Sequence, residues 1–222
     1  VYVIGTVPLT LACSLAMAVL LNQNVKLRNF FRTVAFFPYV ASLVAVAAVW
    51  NMIFNPSMGP INMILNQFFG VAVENLPRWA AGKDTAMLTV ILFSVWKNMG
   101  YYMVIYLAAL QGVPRELYEA ATVDGANKWQ QFRNVTLPQI KPTTFFCTIM
   151  LVIGSFKIYD TVAIMTNGGP GRATKMLVTY IYDVAFNNIK YGQASAIAMV
   201  LLVIVLIVTI IQFANEKKFA ND

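Results

Sequence analysis

Long apolar runs separated by short polar segments dominate the pattern of this chain. A membrane-spanning helix needs about 20 mostly apolar residues, because the hydrocarbon core is about 30 Å thick and each helical residue rises about 1.5 Å. Five runs are long enough. They cover approximately residues 1–21, 34–54, 86–110, 143–165 and 194–213. We therefore predict an all-α fold, a bundle of transmembrane helices that forms a single domain over residues 1–222.

The amino-acid composition of this chain is typical of a protein that lies in lipid. Of its 222 residues, 59% are hydrophobic and 11% are charged, whereas a soluble domain carries about 25% charged residues. The formal net charge of +7 could indicate a nucleic-acid partner in a soluble protein. Basic residues that flank membrane spans explain it here, and the sequence has no basic stripe with interleaved aromatic residues. We expect no nucleic-acid binding.

The residues needed for common active sites are missing from the sequence. Histidine is absent, and the two cysteines, Cys13 and Cys147, lie far apart within apolar runs. They are typical of small buried hydrophobic residues and cannot form a zinc site of the usual spacing. No nucleophile, base and orienting group can be assembled. We expect that the chain is not an enzyme and binds neither a metal nor a cofactor itself.

The distribution of Lys and Arg among the loops predicts the orientation. Cytoplasmic loops carry more of these residues than external ones. One side receives nine of them: Lys26, Arg28, Arg32, Arg115, Lys128, Arg133, Lys141, Lys217 and Lys218. The opposite side receives five: Arg78, Lys83, Arg172, Lys175 and Lys190. We predict that the first group is cytoplasmic, so that the C-terminus lies inside. Because the sequence opens in an apolar run without Met, we also expect residues ahead of Val1.

The external loop after the second predicted span has a helical pattern of its own. After Gly59 and Pro60, apolar residues recur at helical spacing through residues 61–68. We predict a short helix at the outer membrane interface, with Trp79 as an anchor there.

The cytoplasmic segment 111–142 differs from the rest of the chain. Pro114 suits the start of a helix, and Glu116 complements the positive end of the helix dipole. Gly125 can adopt the conformations that end a helix, and Pro138 ends a second helical pattern. The segment therefore predicts a helix, a turn and a second helix beside the membrane. Such a pair can dock into a partner or lie on lipid headgroups.

Seven residues of this segment resemble the EAA signature of ATP-binding-cassette importer permeases. They are Glu119, Ala120, Ala121, Gly125, Val135, Leu137 and Pro138. The family usually has Ile where this chain has Val135. Looser similarity to the carbohydrate-uptake permeases of the maltose and glycerol-phosphate type extends over residues 107–114, 167–170, 180–186 and 192. Family members usually have six or more spans, so one N-terminal helix is expected beyond the five counted here.

The resemblance implies a multi-subunit importer in a prokaryotic cytoplasmic (inner) membrane. In that family the EAA loop inserts a coupling helix into a cytoplasmic ATPase. The corresponding residues here are Glu119, Ala120, Ala121 and Gly125, with Leu117 and Asp124 as neighbours in the same contact. The implied partners are a second related permease in a heterodimer, two ATPase subunits and an extracytoplasmic solute-binding protein. Because the sequence contains no G-x-x-x-x-G-K-[ST] loop, ATP with Mg is expected at the partner ATPases.

Charged and aromatic residues within the spans are candidates for the solute pathway. Lys97 lies near the middle of the third span, where a lysine costs about 2.5 to 3.5 kcal/mol. Its neighbours Trp96, Asn98, Tyr101 and Tyr102 have the groups that bind sugars. A second cluster contains Lys157, Tyr159 and Asp160, and a third contains Trp50 and Asn51. Alternatively, the charges pair with a second permease, or Lys157 extends to the membrane interface.

The sequence thus favours a permease of a binding-protein-dependent sugar importer. The same architecture could carry another polar solute, such as a glycerol phosphate, a polyamine or an amino acid. An ion-driven secondary transporter would contain inverted repeats and broken helices, and we expect neither from the sequence.

Overall fold

A computed structural model describes residues 1–23 and 26–220, with side chains to residue 214. The helices are α1 (Tyr2–Asn22), α2 (Arg28–Val40), α3 (Leu43–Ile53), α4 (Pro60–Phe69), α5 (Ala86–Gln111), α6 (Arg115–Val123), α7 (Lys128–Gln131), α8 (Leu137–Gln139), α9 (Lys141–Phe156), α10 (Asp160–Met165), α11 (Leu177–Tyr182) and α12 (Tyr191–Ala220). The described residues form helices and no strands, which confirms the predicted all-α class. The side chains of Lys217 and Lys218, used to orient the chain, lie outside this described part.

Helix α5 occupies the centre of the bundle. It packs against α1, α2 and α9, and it is one of three unbroken helices long and apolar enough to cross a membrane, with α1 and residues 191–214 of α12. Its side chains Phe93, Met103 and Tyr106 are almost completely buried. In contrast, α12 exposes most of its apolar side chains, as expected for a surface that faces lipid or another subunit.

A row of hydroxyl groups joins α1 to α5. Tyr2, Thr6, Thr10 and Ser14 recur every four residues on one face of α1, and all are buried. The Tyr2 hydroxyl donates to Ser94 Oγ at 2.9 Å, and Ser14 Oγ donates to the Met99 carbonyl at 2.9 Å. Polar bonds of this kind hold helices together where the surrounding lipid provides no hydrophobic driving force between them.

The second predicted span, residues 34–54, is not one helix. The structure divides it into α2 and α3, which meet at 98°. Pro38 lies in the last turn of α2, where its ring removes a backbone donor. Ala41 follows with extended backbone, and Ser42 is also non-helical. The prediction that the spans are unbroken is therefore wrong at this position.

The fourth predicted span, residues 143–165, is also interrupted. Helix α9 ends at Phe156 and α10 begins at Asp160, so that Lys157 and Tyr159 lie in a non-helical link. Gly154 occupies the last turn of α9, where it weakens the helix. At its other end, α9 meets the helical segment Lys128–Gln139 at 64°.

The segment predicted to be external contains the helix that its apolar spacing predicts. Helix α4 begins at Pro60, as expected from the pattern. Asn62, which is 3% exposed, donates to the carbonyls of Pro56 (2.9 Å) and Pro77 (3.1 Å) and accepts from Trp79 Nε1 (2.7 Å). The Trp79–Asn62 bond thus closes this loop onto α4.

Gly100 permits the close crossing of α5 and α2. A Cβ atom at this position would overlap the backbone carbonyl of Ala35 and approach the Phe36 Cα. Because both neighbours are backbone atoms, neither can rotate away. The crossing therefore depends on the absence of a side chain on α5 at this point.

We expect Gly100→Ala to destabilise the detergent-solubilised chain by about 1–3 kcal/mol, as overpacking does elsewhere. Gly192→Ala is the matched control, since a Cβ at Gly192 meets no described atom within 4 Å. Thermal unfolding followed by the loss of monodisperse protein compares the two variants. Equal melting temperatures for both would contradict this description of the crossing.

Candidate coupling loop and solute cavity

Helix α6 ends in a turn that only a small set of residues can form. Gly125 has φ +79°, a left-handed conformation that costs other residues about 1–2 kcal/mol. The Ala126 amide donates to the Ala121 carbonyl at 2.8 Å, and the Gly125 amide donates to the Thr122 carbonyl at 3.0 Å. This pair of bonds is a Schellman motif. Ala121 and Gly125 of the EAA signature are thus parts of one helix terminus.

The second arm of the loop begins with its own cap. Asn127 accepts from the Gln130 amide at 2.9 Å, and the Gln130 side chain accepts from the Asn127 amide at 2.7 Å. This reciprocal capping box starts α7 directly after the turn. The helical path then continues through a π-turn at Phe132–Thr136 and ends at Gln139.

Two side-chain contacts hold the arms together. The hydroxyls of Tyr118 and Thr136 lie 3.0 Å apart. Gln131, which is 7% exposed, donates from Nε2 to Thr122 Oγ1 at 2.9 Å and to the Ala126 carbonyl at 3.3 Å. Sequence reasoning missed these residues, because polar side chains at this spacing are also typical of a solvated helix face. The contacts make the loop a braced unit.

The braced loop presents its motif residues outward. Glu119, Ala120, Asp124 and Gly125 are exposed, whereas Ala121 is partly buried. Apolar side chains are exposed beside them: Leu117 at 37%, Val123 at 88% and Trp129 at 67%. Trp129, on the second helix of the loop, is thus left largely uncovered. The loop therefore offers a protruding surface with small, apolar and acidic groups.

The predicted cluster around Lys97 is divided between two faces of α5, one towards α2 and α3 and one towards α1 and α9. Successive residues of a helix point about 100° apart. Trp96 faces α3, where its ring lies 5.3 Å from that of Trp50. Lys97 faces the end of α2, and Asn98 faces α1 and α9. The expectation that these neighbours surround one site is wrong, because they lie on different faces of α5.

The remaining aromatic candidates follow the same division. Tyr101 stacks on Tyr39 of α2, with ring centroids 4.6 Å apart, and Tyr102 lies on the face of Asn98. Trp50 also contacts Phe93 edge-on at 5.3 Å. Asn51, next to Trp50, has a buried Oδ1 atom without a hydrogen-bond partner among the described residues.

A polar cavity of about 170 Å³ lies between α1, α5, α9 and α10. Its lining residues are Tyr2, Thr6, Ser94, Asn98, Tyr102, Met150, Leu151, Gly154, Ser155, Ile158 and Thr161. The Thr6 hydroxyl is buried and has no partner among the described residues. Hydroxyl, amide and aromatic groups together suit a ligand with apolar ring faces and hydroxyl edges. Of the predicted residues, Asn98 and Tyr102 contribute to this cavity.

The cluster Lys157, Tyr159 and Asp160 lies beside the cavity without lining it. Lys157 and Asp160 are exposed, while Tyr159 packs on Tyr182 with centroids 5.0 Å apart. Their neighbours Ile158 and Thr161 point into the cavity instead. Among the described side chains, the ion pair on this side joins Lys175 to Asp183.

A helical bundle with a polar cavity between its helices and a braced, protruding loop is typical of membrane permeases. A family model described as "Binding-protein-dependent transport system inner membrane component" matches residues 9–221. The chain therefore belongs to this family of integral inner-membrane transport proteins, and the resemblance inferred from its EAA loop is confirmed.

Individual relatives support the same assignment. The chain is 41% identical over 189 residues to the probable ABC transporter permease protein YurN of Bacillus subtilis, a match covering 85% of this chain and 64% of YurN. It is 32% identical over 217 residues to the trehalose/maltose transport system permease protein MalF of Thermococcus litoralis, covering 98% of this chain and 72% of MalF. The chain thus spans about two thirds of the length of these relatives.

A solved structure has the same fold. A chain of the bacterial alginate ABC transporter, in complex with an alginate pentasaccharide-bound periplasmic protein, matches with a TM-score of 0.84. The match has 23% sequence identity and covers 97% of this chain and 77% of that chain.

We expect Gly125→Ala to loosen the coupling loop, because a Cβ at φ +79° introduces strain of about 1 kcal/mol or more. Gly112→Ala is the matched control: Gly112 also follows a helix end but has φ −80°. Limited proteolysis in membranes should cut the loop faster in the first variant only. Equal cleavage rates would show that the left-handed turn does not stiffen the loop.

Proposed function

We propose that this chain is the permease subunit of an ATP-driven importer that carries sugars or oligosaccharides across the cytoplasmic membrane. The observation that carries this proposal is the braced, exposed turn at Gly125, built into the same bundle as the polar cavity. A force applied to the turn is transmitted to α9 through the segment Lys128–Gln139, and α9 lines the cavity.

The exposed surface of α6 is suited to a cleft in a cytoplasmic ATPase. Ala120 and Ala121 allow close approach, whereas Leu117 and Val123 supply apolar contact. Glu119 offers a charge to a basic group of the partner, and Asp124 adds a second acidic group beside the turn. ATP and Mg would bind on two such ATPase subunits, and their closure would drive the turn.

The remaining partners follow from the family and from the exposed surfaces. A second, related permease would pack against part of the apolar surface, with lipid covering the rest. An extracytoplasmic solute-binding protein would deliver the solute to the outer side. The excess of Lys and Arg on one side supports a cytoplasmic position for the coupling loop and the C-terminus.

Sugars are the solute class that the cavity chemistry supports. Relatives are named for trehalose/maltose and arabinooligosaccharide transport. An engineered cavity of about 150 Å³ admits benzene, so a cavity of about 170 Å³ can take part of a sugar, about one six-membered ring without its substituents. Asn98, Ser94 and Ser155 would bond to hydroxyl groups, and Tyr102 would contact a ring face.

The other predicted pathway residues lie outside the cavity and would have other places in the pathway. Trp50 and Trp96 form an aromatic wall on the opposite face of α5. Lys157, Tyr159 and Asp160 lie next to the cavity lining and would contact solute on its way to the cavity.

We expect Glu119→Lys to reduce uptake by roughly tenfold or more while leaving membrane insertion intact, because the reversed charge opposes ATPase docking. Glu74→Lys is the charge-matched control on the predicted outer side. Radiolabelled sugar uptake, normalised to the amount of chain in the membrane, compares the two. Normal uptake by Glu119→Lys would contradict the proposed coupling role.

We expect Thr6→Val to raise the KM for uptake by roughly threefold to tenfold, because the cavity loses a hydroxyl that would bond to the solute. Thr10→Val is the matched control: Thr10 is buried one turn further along α1 and does not line the cavity. Initial uptake rates over a range of sugar concentrations separate the variants. Indistinguishable KM values would exclude the cavity from the solute pathway.

A further inference from the structure

Lys97 forms hydrogen bonds to the backbone at the end of α2. Its Nζ atom donates to the carbonyl of Pro38 at 2.9 Å and to that of Ala41 at 3.0 Å. A longer contact of 3.4 Å reaches the Tyr39 carbonyl. An ammonium has three donors and no acceptor, so the three carbonyls use all of its hydrogen-bonding capacity.

These carbonyls need a donor because α2 stops at a break. The last carbonyls of any helix lack partners within the helix. Here the chain turns by 98° into α3 and cannot supply them. In a membrane, each unsatisfied backbone group is costly. A positive charge is also stabilised at the negative end of a helix dipole. The bonds therefore explain how a charged residue is accommodated near the middle of a span.

The bent pair of helices α2 and α3 forms an elbow. Other residues on the face of α5 that carries Lys97 contact both arms of this elbow. Gly100 lies against the Ala35 backbone of α2, and Tyr101 stacks on Tyr39. Trp96 contacts Trp50 of α3. Lys97 lies between these contacts, at the joint itself. The opposite face of α5 carries Ser94, Asn98 and Tyr102, which line the cavity.

We propose that Lys97 is a positioning residue whose ammonium caps the α2–α3 elbow and fixes it to the helix that lines the cavity. The elbow and α5 then move as one body during transport. Lys97 acts through the backbone of α2 and does not bind the solute. This role differs from the solute contact that the sequence suggested for Lys97.

Cross-linking in the assembled transporter tests the position of the elbow. Tyr39→Cys and Tyr101→Cys, introduced after replacement of Cys13 and Cys147 by Ala, should be joined efficiently by a short bis-thiosulfonate reagent. We expect Lys97→Met to lower the yield by about fivefold, since no donor then holds the end of α2. Lys97→Arg should restore at least about half of the yield, because a guanidinium also donates to carbonyls. Lys157→Met, which removes an exposed lysine, should leave the yield unchanged.

Uptake kinetics of the same Lys97 variants, with the native tyrosines retained, distinguish positioning from solute contact. We expect Lys97→Met to lower the maximal rate by about tenfold with KM changed less than about twofold, and Lys97→Arg to recover it. This kinetic test rests on the proposed import function, whereas the cross-linking test does not. An unchanged cross-linking yield in Lys97→Met would overturn the proposal, as would a KM effect specific to one sugar.

A glutamine variant covers the case in which Lys97→Met does not insert. Lys97→Gln keeps two amide donors and should give a yield between those of the native lysine and a variant without donors. A yield equal to that of the native chain would contradict the capping role.

Discussion

The requirement that every backbone hydrogen-bonding group inside a membrane find a partner governs this structure. Unbroken helices meet it internally, but the chain turns by 98° between α2 and α3 and leaves carbonyls without helical partners. Lys97 supplies the missing donors from α5. Side-chain hydroxyls add further bonds between helices: Tyr2 and Ser14 of α1 both donate to α5. Polar groups within the bundle thus determine how its helices are held together.

Helix α5 links the parts of the molecule because its two faces differ. One face carries Trp96, Lys97 and Gly100 and holds the elbow, while the opposite face carries Asn98 and Tyr102 and lines the cavity. The coupling loop follows directly from the C-terminal end of α5 and leads into α9. A displacement of the loop can therefore reach the cavity through both helices. This arrangement gives the proposed import cycle a physical path from ATPase to solute.

The sequence predicted features that depend on local chemistry. The helix terminus at Gly125 required a left-handed residue, and the apolar spacing after Pro60 required a helix; the structure contains both. Features that depend on contacts between residues far apart in the chain could not be predicted from the sequence. The carbonyls left free by the break after Val40 are bonded by Lys97, 56 residues beyond Ala41, and periodicity over residues 34–54 could not reveal this contact. Lys97 and Asn98 were predicted to share one site. Because neighbouring residues of a helix point about 100° apart, their side chains lie on different faces of α5.

The central claim is that the turn at Gly125 is the contact through which a nucleotide-driven subunit moves this bundle. A photo-cross-linking amino acid at Val123, an exposed residue beside the turn, tests it in native membranes, with Phe213 on α12 as the comparison position. We predict that position 123 cross-links to an ATP-binding subunit and that the yield changes with ATP. Cross-linking at position 123 to lipid alone, or labelling of this position from outside intact cells, would contradict the account.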